Sequence, residues 1–315
     1  MNTDSIITVG ICPSWDTICK VDGIEWGQHK KMVSQSSVCA GKAFNISRAL
    51  AWLEVKSTAA GLWGQADIKQ MLENTKDISD LVDIKFTVVA GQTRRNVTVV
   101  DTQAKREMHL RAQSKLADSE TLKQLRADLN NIVDEKSTVV FAGALPSGQL
   151  LDECVAIITE IKQRTSNIIV DTNGQTLKKI VEKEQPLLIS PNVKELSELL
   201  GEQIDDNSET IIRCTKKLCE NVEMVMVSRG CKGAILITKD KAFEGKVIND
   251  KDKTTHTVGC GDYLLAGFLA GLKKGNIREA LVQGIKVATA RAWGWCEKMN
   301  WPTVERKIEV DVRVL

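Results

Sequence analysis

Short apolar runs, most of them rich in Val and Ile, recur along the chain between longer stretches whose apolar positions return every three or four residues. The short runs predict strands at 6–11, 57–61, 138–142, 167–171, 187–190, 224–228 and 234–238. The periodic stretches predict helices at 42–53, 120–133, 151–163, 193–200, 209–219, 260–273 and 277–296. Strands buried on both faces read as unbroken apolar runs, and here they alternate with helices. The pattern therefore predicts an α/β fold with a central, mostly parallel sheet flanked by helices. Two stretches, 17–38 and 83–111, contain no helical period and read as short alternating strands, with 98–101 set against 106–109. They predict a small β-sheet lid whose strands interleave in sequence with those of the main sheet.

No Pro/Ser-rich linker, repeat or low-complexity tract divides the 315 residues, and five prolines leave little material for one. A length prior of about two domains gives way to one domain over 1–315, with the lid inserted. Lys plus Arg number 43 and Asp plus Glu 41, so the net charge of +2 supplies no field for a nucleic-acid backbone or an anionic membrane. An anionic ligand has to be held locally. The nine cysteines are scattered without a Cys-x-x-Cys pair, which fits reduced thiols and a cytoplasmic location. Three histidines, far apart in sequence, give little material for a zinc site or a Ser/His/Asp triad. The amino terminus enters a strand with no basic leader, and the longest apolar stretch, 264–272, is far short of the ~20 residues a bilayer needs.

Chemistry concentrates first in Gly259-Cys260-Gly261-Asp262, where two glycines and an Asp open an apolar helix. Backbone N–H groups turned inward by the glycines, with the positive end of the helix, can hold a phosphoryl group in transfer. A carboxylate in that first turn can take the proton of an attacking hydroxyl. The same residues also suit an ordinary turn and a dipole-matched helix start. His256 precedes the turn and is assigned no role. Trp293, Trp295 and Trp301 lie at helical spacing and are read as packing residues rather than as a ligand platform. A Gly-x-x-x-x-Gly-Lys-Ser/Thr loop and a dinucleotide Gly-x-Gly-x-x-Gly fingerprint are both missing.

The second informative segment is Cys39-Ala40-Gly41-Lys42-Ala43-Phe44-Asn45, a small-residue turn that opens a helix with Lys and Asn near its start. Together with Gly259-Cys260-Gly261-Asp262, in the same order and separation, it resembles the two signatures of the ribokinase/PfkB carbohydrate kinases. Further similarity extends over nearly the whole chain. Cys12-Pro13-Ser14-Trp15-Asp16 and Thr93-Arg94-Arg95-Asn96 resemble the Asn-Pro-x-x-Asp and Thr-Arg-x-Asn segments of the hexose-phosphate branch, the 1-phosphofructokinases and tagatose-6-phosphate kinases.

The resemblance implies a ribokinase-like fold and ATP-dependent phosphorylation of a hexose monophosphate. Fructose 1-phosphate leads, with tagatose 6-phosphate and fructose 6-phosphate next. Asp262 would be the catalytic base, and Gly259, Cys260 and Gly261 the anion hole. Asp16, Gly41, Lys42, Asn45, Arg94 and Asn96 would bind the sugar substrate, with Arg94 meeting its phosphate. Ser228-Arg229-Gly230-Cys231-Lys232-Gly233 resembles the turn along the nucleotide phosphates, which gives Ser228, Gly230 and Gly233 that role. Asn192 and Glu195, in Ser190-Pro191-Asn192-Val193-Lys194-Glu195, would organise Mg2+ through water. The family also implies a homodimer joined through the lid. Ala40, Ala43, Ala144 and Ser190 depart from the family pattern, each removing a polar or permissive element. They leave open a kinase of an unphosphorylated sugar or nucleoside, or a sugar-phosphate sensor without turnover.

Overall fold

The computed structural model describes residues 5–249, 254, 258–273 and 275–315; His256 lies outside them. In chain order the strands are β1 (Ser5–Gly10), β2 (Ser14–Val21), β3 (Met32–Ala40), β4 (Ser57–Gly64), β5 (Val82–Val89), β6 (Arg95–Asp101) and β7 (Arg106–Leu110). They continue with β8 (Ser137–Ala142), β9 (Ile168–Asp171), β10 (Leu188–Ile189), β11 (Met224–Ser228), β12 (Ala234–Thr238), β13 (Ala242–Val247) and β14 (Val310–Val314). The helices are α1 (Lys42–Trp52), α2 (Ile68–Asn74), α3 (Ser119–Ile132), α4 (Gln149–Lys162) and α5 (Gly174–Glu184). After them come α6 (Val193–Leu200), α7 (Ser208–Thr215), α8 (Cys260–Leu272), α9 (Ile277–Ala292) and α10 (Trp301–Lys307). Among the described residues no helix is long and apolar enough to cross a membrane.

The main sheet has the order β14-β13-β12-β11-β10-β9-β8-β1-β4-β5. It is parallel from β5 through β11, and β12 to β14 continue it antiparallel. Side chains of each central strand alternate between two cores. Val139 and Phe141 of β8 join the core under α3 to α7, whereas Val140 and Ala142 join the core under α1, α8, α9 and α10. Trp293, Trp295 and Trp301 are buried in that second core, so the tryptophans pack as expected.

A four-stranded sheet, β3-β2-β6-β7, stands beside the main one, and its outer hairpin pairs Thr98 with His109 and Asp101 with Arg106 as expected. Its boundaries correct the two-segment lid of 17–38 and 83–111. The first arm starts at Ser14 and ends at Ala40, while 83–89 belongs to β5, paired parallel to β4 from Ser57↔Val82 to Gly64↔Val89. The reason is α2, which links β4 to β5 as a crossover but buries only Met71 and so shows no helical period. A third core of Trp15, Cys39, Phe44, Trp63 and Met71 attaches the small sheet. Within it Trp15 Nε1 donates to the buried Asp67 carboxylate at 2.8 Å, and Thr93 Oγ1 donates to the same group at 3.1 Å.

Beyond α2, the pattern reading also missed α5, α10, β13 and β14. The last two carry charges at alternate positions, among them Glu244, which is buried against Arg229 and Arg313.

Candidate active site

The apolar helix α8 is buried almost throughout because α9 packs on it closely enough that a Cβ on Gly267 would meet Val287 at 2.8 Å. Its start is therefore fixed. Gly259 takes φ +83°, a left-handed conformation that turns the chain into α8, and its carbonyl accepts from Tyr263 N–H at 3.0 Å. Asp262 falls in this first turn and is buried. From α1, Asn45 Nδ2 donates to Asp262 Oδ2 at 2.7 Å. Burial, with the negative Asp171 nearby, pushes the Asp262 carboxyl up to about 7, against the pull of Asn45, Lys42 and Arg291.

Lys42 opens α1, and its Nζ lies 2.9 Å from Oδ1 of Asp171, a buried carboxylate at the end of β9. Burial opposes the ammonium, but Asp171, with Glu195 and Asp262 behind it, outweighs that and holds the Lys42 pKa above its usual value. The carboxyl ends of β1, β8 and β9 thus converge where the strand order turns back at the middle of the sheet. That is where open α/β sheets bind ligands.

The small sheet supplies the opposite wall. Asp16 of β2 pairs with Asn96 of β6 in register, and Asn96 Nδ2 donates to Asp16 Oδ1 at 2.9 Å. Arg94, just before β6, donates through Nε to Pro13 O at 3.2 Å, through Nη1 to Ala112 O at 3.0 Å and through Nη2 to Cys12 O at 2.9 Å. Between the walls is a cavity of about 440 Å³. Asp16, Gly41, Lys42, Asn45, Arg94, Asn96, Gly259 and Asp262 all line it, drawn from both ends of the chain. Sequence reasoning missed Thr172, Asn173, His109 and Arg111, which also line it. The last two stand two residues apart at the end of a strand, a spacing that puts both on one face. That was the available signal.

Seven of the expected residues lie outside this cavity. Cys260 and Gly261 are the first residues of α8. Asn192 and Glu195 form the capping box of α6, each side chain accepting from the other's N–H, at 2.9 and 3.0 Å. Ser228 bridges to Asn192, and beyond it Arg229 N–H donates to Gly233 O at 2.8 Å and Gly233 N–H to Gly230 O at 3.0 Å. This makes a second platform, beyond the ends of β10 and β11. Arg229 is anchored there by Asp206 at 2.6 Å and Glu244 at 2.5 Å. Gly233 has φ +86°, and a Cβ on it would lie 2.0 Å from Gly245 O. Gly233→Ala should therefore lower the melting temperature, read by calorimetry.

A buried carboxylate in the first turn of a helix, held by Asn45 and facing a polar cavity under a small sheet, is an arrangement suited to taking the proton of an attacking hydroxyl. The chain belongs to the pfkB family of carbohydrate kinases, whose family model matches residues 3–292. It is 30% identical over 313 residues to 1-phosphofructokinase of Bacillus subtilis (strain 168), covering 98% of this chain and 99% of the relative. Tagatose-6-phosphate kinase of Staphylococcus epidermidis (strain ATCC 12228) is 26% identical over 304 residues, 95% and 93% of the two chains. The crystal structure of phosphofructokinase-2 from Escherichia coli in complex with fructose-6-phosphate superposes with a TM-score of 0.86. At 20% identity over 96% of this chain and 97% of that one, it establishes the ribokinase-like fold.

Proposed function

We propose that the protein transfers the γ-phosphoryl group of ATP to a hydroxyl of a hexose monophosphate, with fructose 1-phosphate the leading substrate. The observation that carries this reading is the Asp262 carboxylate, held by Asn45 at 2.7 Å on the cavity wall opposite Asp16 and Asn96. The names of the Bacillus and Staphylococcus relatives support the substrate class.

Asp16 keeps Oδ2 free of the bonds from Ser14 and Asn96, and there it accepts a sugar hydroxyl. Asp262 takes the proton of the acceptor hydroxyl through Oδ1, since Asn45 occupies Oδ2. The sugar oxygen then bonds to the γ-phosphorus as the bond to the ADP oxygen breaks. N–H groups of the Gly259–Gly261 turn and the α8 dipole meet the charge that grows on the transferring group. Ser228, Gly230 and Gly233 lie along the nucleotide phosphates. Asn192 and Glu195 would suit Mg2+ held through water, because their capping bonds leave Glu195 Oε1 uncommitted, with its charge near Lys42. Held there, the ion would supply positive charge to the nucleotide phosphates.

The small sheet covers the sugar, and its exposed Ile18 and Val38, diagonal neighbours on one face of β2 and β3, support a homodimer formed across it. Nine cysteines outside any disulfide support a cytoplasmic enzyme.

Coupled ADP detection over a panel of hexose phosphates, free hexoses and nucleosides tests the reading. Preference for an unphosphorylated acceptor, or tight sugar binding without ADP, overturns it. The acid limb of the pH profile is a second check. Asp262 accepts a proton only when ionised, so kcat/KM should fall tenfold per pH unit below about 7 and level off above it.

A further inference from the structure

We infer that Arg291, in the last turn of α9, is a positioning residue for phosphoryl transfer: it sets a fixed positive charge directly behind the Gly259 turn, where it favours the ionised form of Asp262. The inference rests on the reading of Asp262 as the base.

An arginine in the last turn of a helix ordinarily complements the helix dipole and sends its head into water. Arg291 does so only in part. Its side chain is 24% exposed, and Nη1 lies 3.2 Å from Glu297, a carboxylate that is 60% exposed. Nε is turned inward, buried and without a hydrogen-bond partner among the described residues. A buried donor left unpaired is costly and persists where something else fixes the group. Here Tyr263 fixes it. The guanidinium carbon stands 5.4 Å from the centre of the Tyr263 ring, and the N–H of the same residue donates to Gly259 O at 3.0 Å. Tyr263 thus closes the turn through its main chain and seats the cation against it through its ring. The point where a Cβ on Gly259 would sit is 3.8 Å from Arg291 Nε and 4.0 Å from Asp262 Oδ2. The guanidinium and the carboxylate therefore flank the same turn.

Among the described residues, the other groups facing Asp262 leave little net attraction. Asp171, at the end of β9, repels it. From α1, Lys42 attracts but is bound to that same Asp171 at 2.9 Å, and Asn45 is neutral. Cys260, in the turn itself, is an uncharged thiol pushed up by burial. The counter-charge of Arg291 is Glu297, which stands largely in water and is screened there. What remains on the inner side is the guanidinium, which pulls the Asp262 carboxyl down against the burial that raises it.

The test follows the Asp262 carboxyl by carbon NMR in protein labelled at aspartate, its resonance identified by its loss in Asp262→Asn. Wild type is compared with Arg291→Gln, Arg291→Met and Arg291→Lys. The two neutral variants should titrate about one pH unit above wild type, and the lysine variant close to it. With fructose 1-phosphate at saturating ATP, the acid limb of kcat/KM should move by the same amount while the plateau above it stays within about threefold. A lowered plateau with an unmoved limb is the mark of a merely structural residue and overturns the inference. If Asp262→Asn turns over normally, the reading of the base fails and takes this inference with it. If the base holds and the neutral variants keep the wild-type midpoint, Arg291 fails alone. If fructose 1-phosphate is not phosphorylated, the substrate reading falls while the carboxyl titration still decides Arg291.

Discussion

Asp262→Asn should lower kcat by ~10²–10⁴, the usual worth of a positioned general base, in a protein that folds normally. The amide keeps an oxygen for Asn45 Nδ2 to donate to, so the contact at 2.7 Å survives while the proton acceptor is lost. Stability should not fall with it. The native carboxyl titrates at about 7, well above its ordinary range, so its contribution to stability is complete below pH ~4 and lost as the pH rises through 7. At pH 8 the wild-type enzyme therefore carries an ionised carboxylate in a buried site, and the amide variant does not. Melting temperatures at pH 8 should be equal, or higher in the variant. Near-normal turnover in the variant would remove Asp262 from the chemistry.

Lys42→Met should be the most destabilising of the cavity substitutions, because it leaves Asp171 buried without its counter-charge. Breaking a buried pair costs about 3–5 kcal/mol, and since the Lys42 side chain is 33% exposed the lower end applies, ~3 kcal/mol. The loss has a signature in pH. Without the ammonium, Asp171 binds a proton in the folded state more tightly than in the unfolded one, so the variant gains stability as the pH falls. Urea unfolding at pH 8 and pH 5 should show the deficit shrinking at the lower value. Adding Asp171→Asn to Lys42→Met should restore most of the stability at pH 8 without restoring activity. A deficit independent of pH would mean that the two side chains do not act as a pair.

The regular part of the fold was legible because strands buried on both faces read as unbroken apolar runs. Met224–Ser228 and Ala234–Thr238 are apolar runs whose ends match the predicted ones, and α6 likewise starts and stops as expected. What escaped was structure stabilised by partners distant in sequence. In β13 Glu244 occupies a buried position only because Arg229 and Arg313 arrive from elsewhere to meet it, and no local period encodes that. In the site, motif residues with chemistry of their own, such as Asp262, Asn45 and Lys42, were found together. Arg94 was placed at the substrate phosphate by resemblance to the Thr-Arg-x-Asn segment; that it also donates to the carbonyls of Cys12, Pro13 and Ala112 depends on where those residues fold, and no local pattern encodes it.

The central position of β1 governs the order in which a newly synthesised chain can become an enzyme. Its neighbours are β4 on one side and β8 on the other, so one edge of β1 waits unpaired on the ribosome until β8 has emerged. Asp262 arrives later still, and it meets an asparagine 217 residues earlier in the chain. Contacts of such long sequence separation form slowly and late. A growing polypeptide therefore lacks the Asn45–Asp262 contact until α8 has emerged.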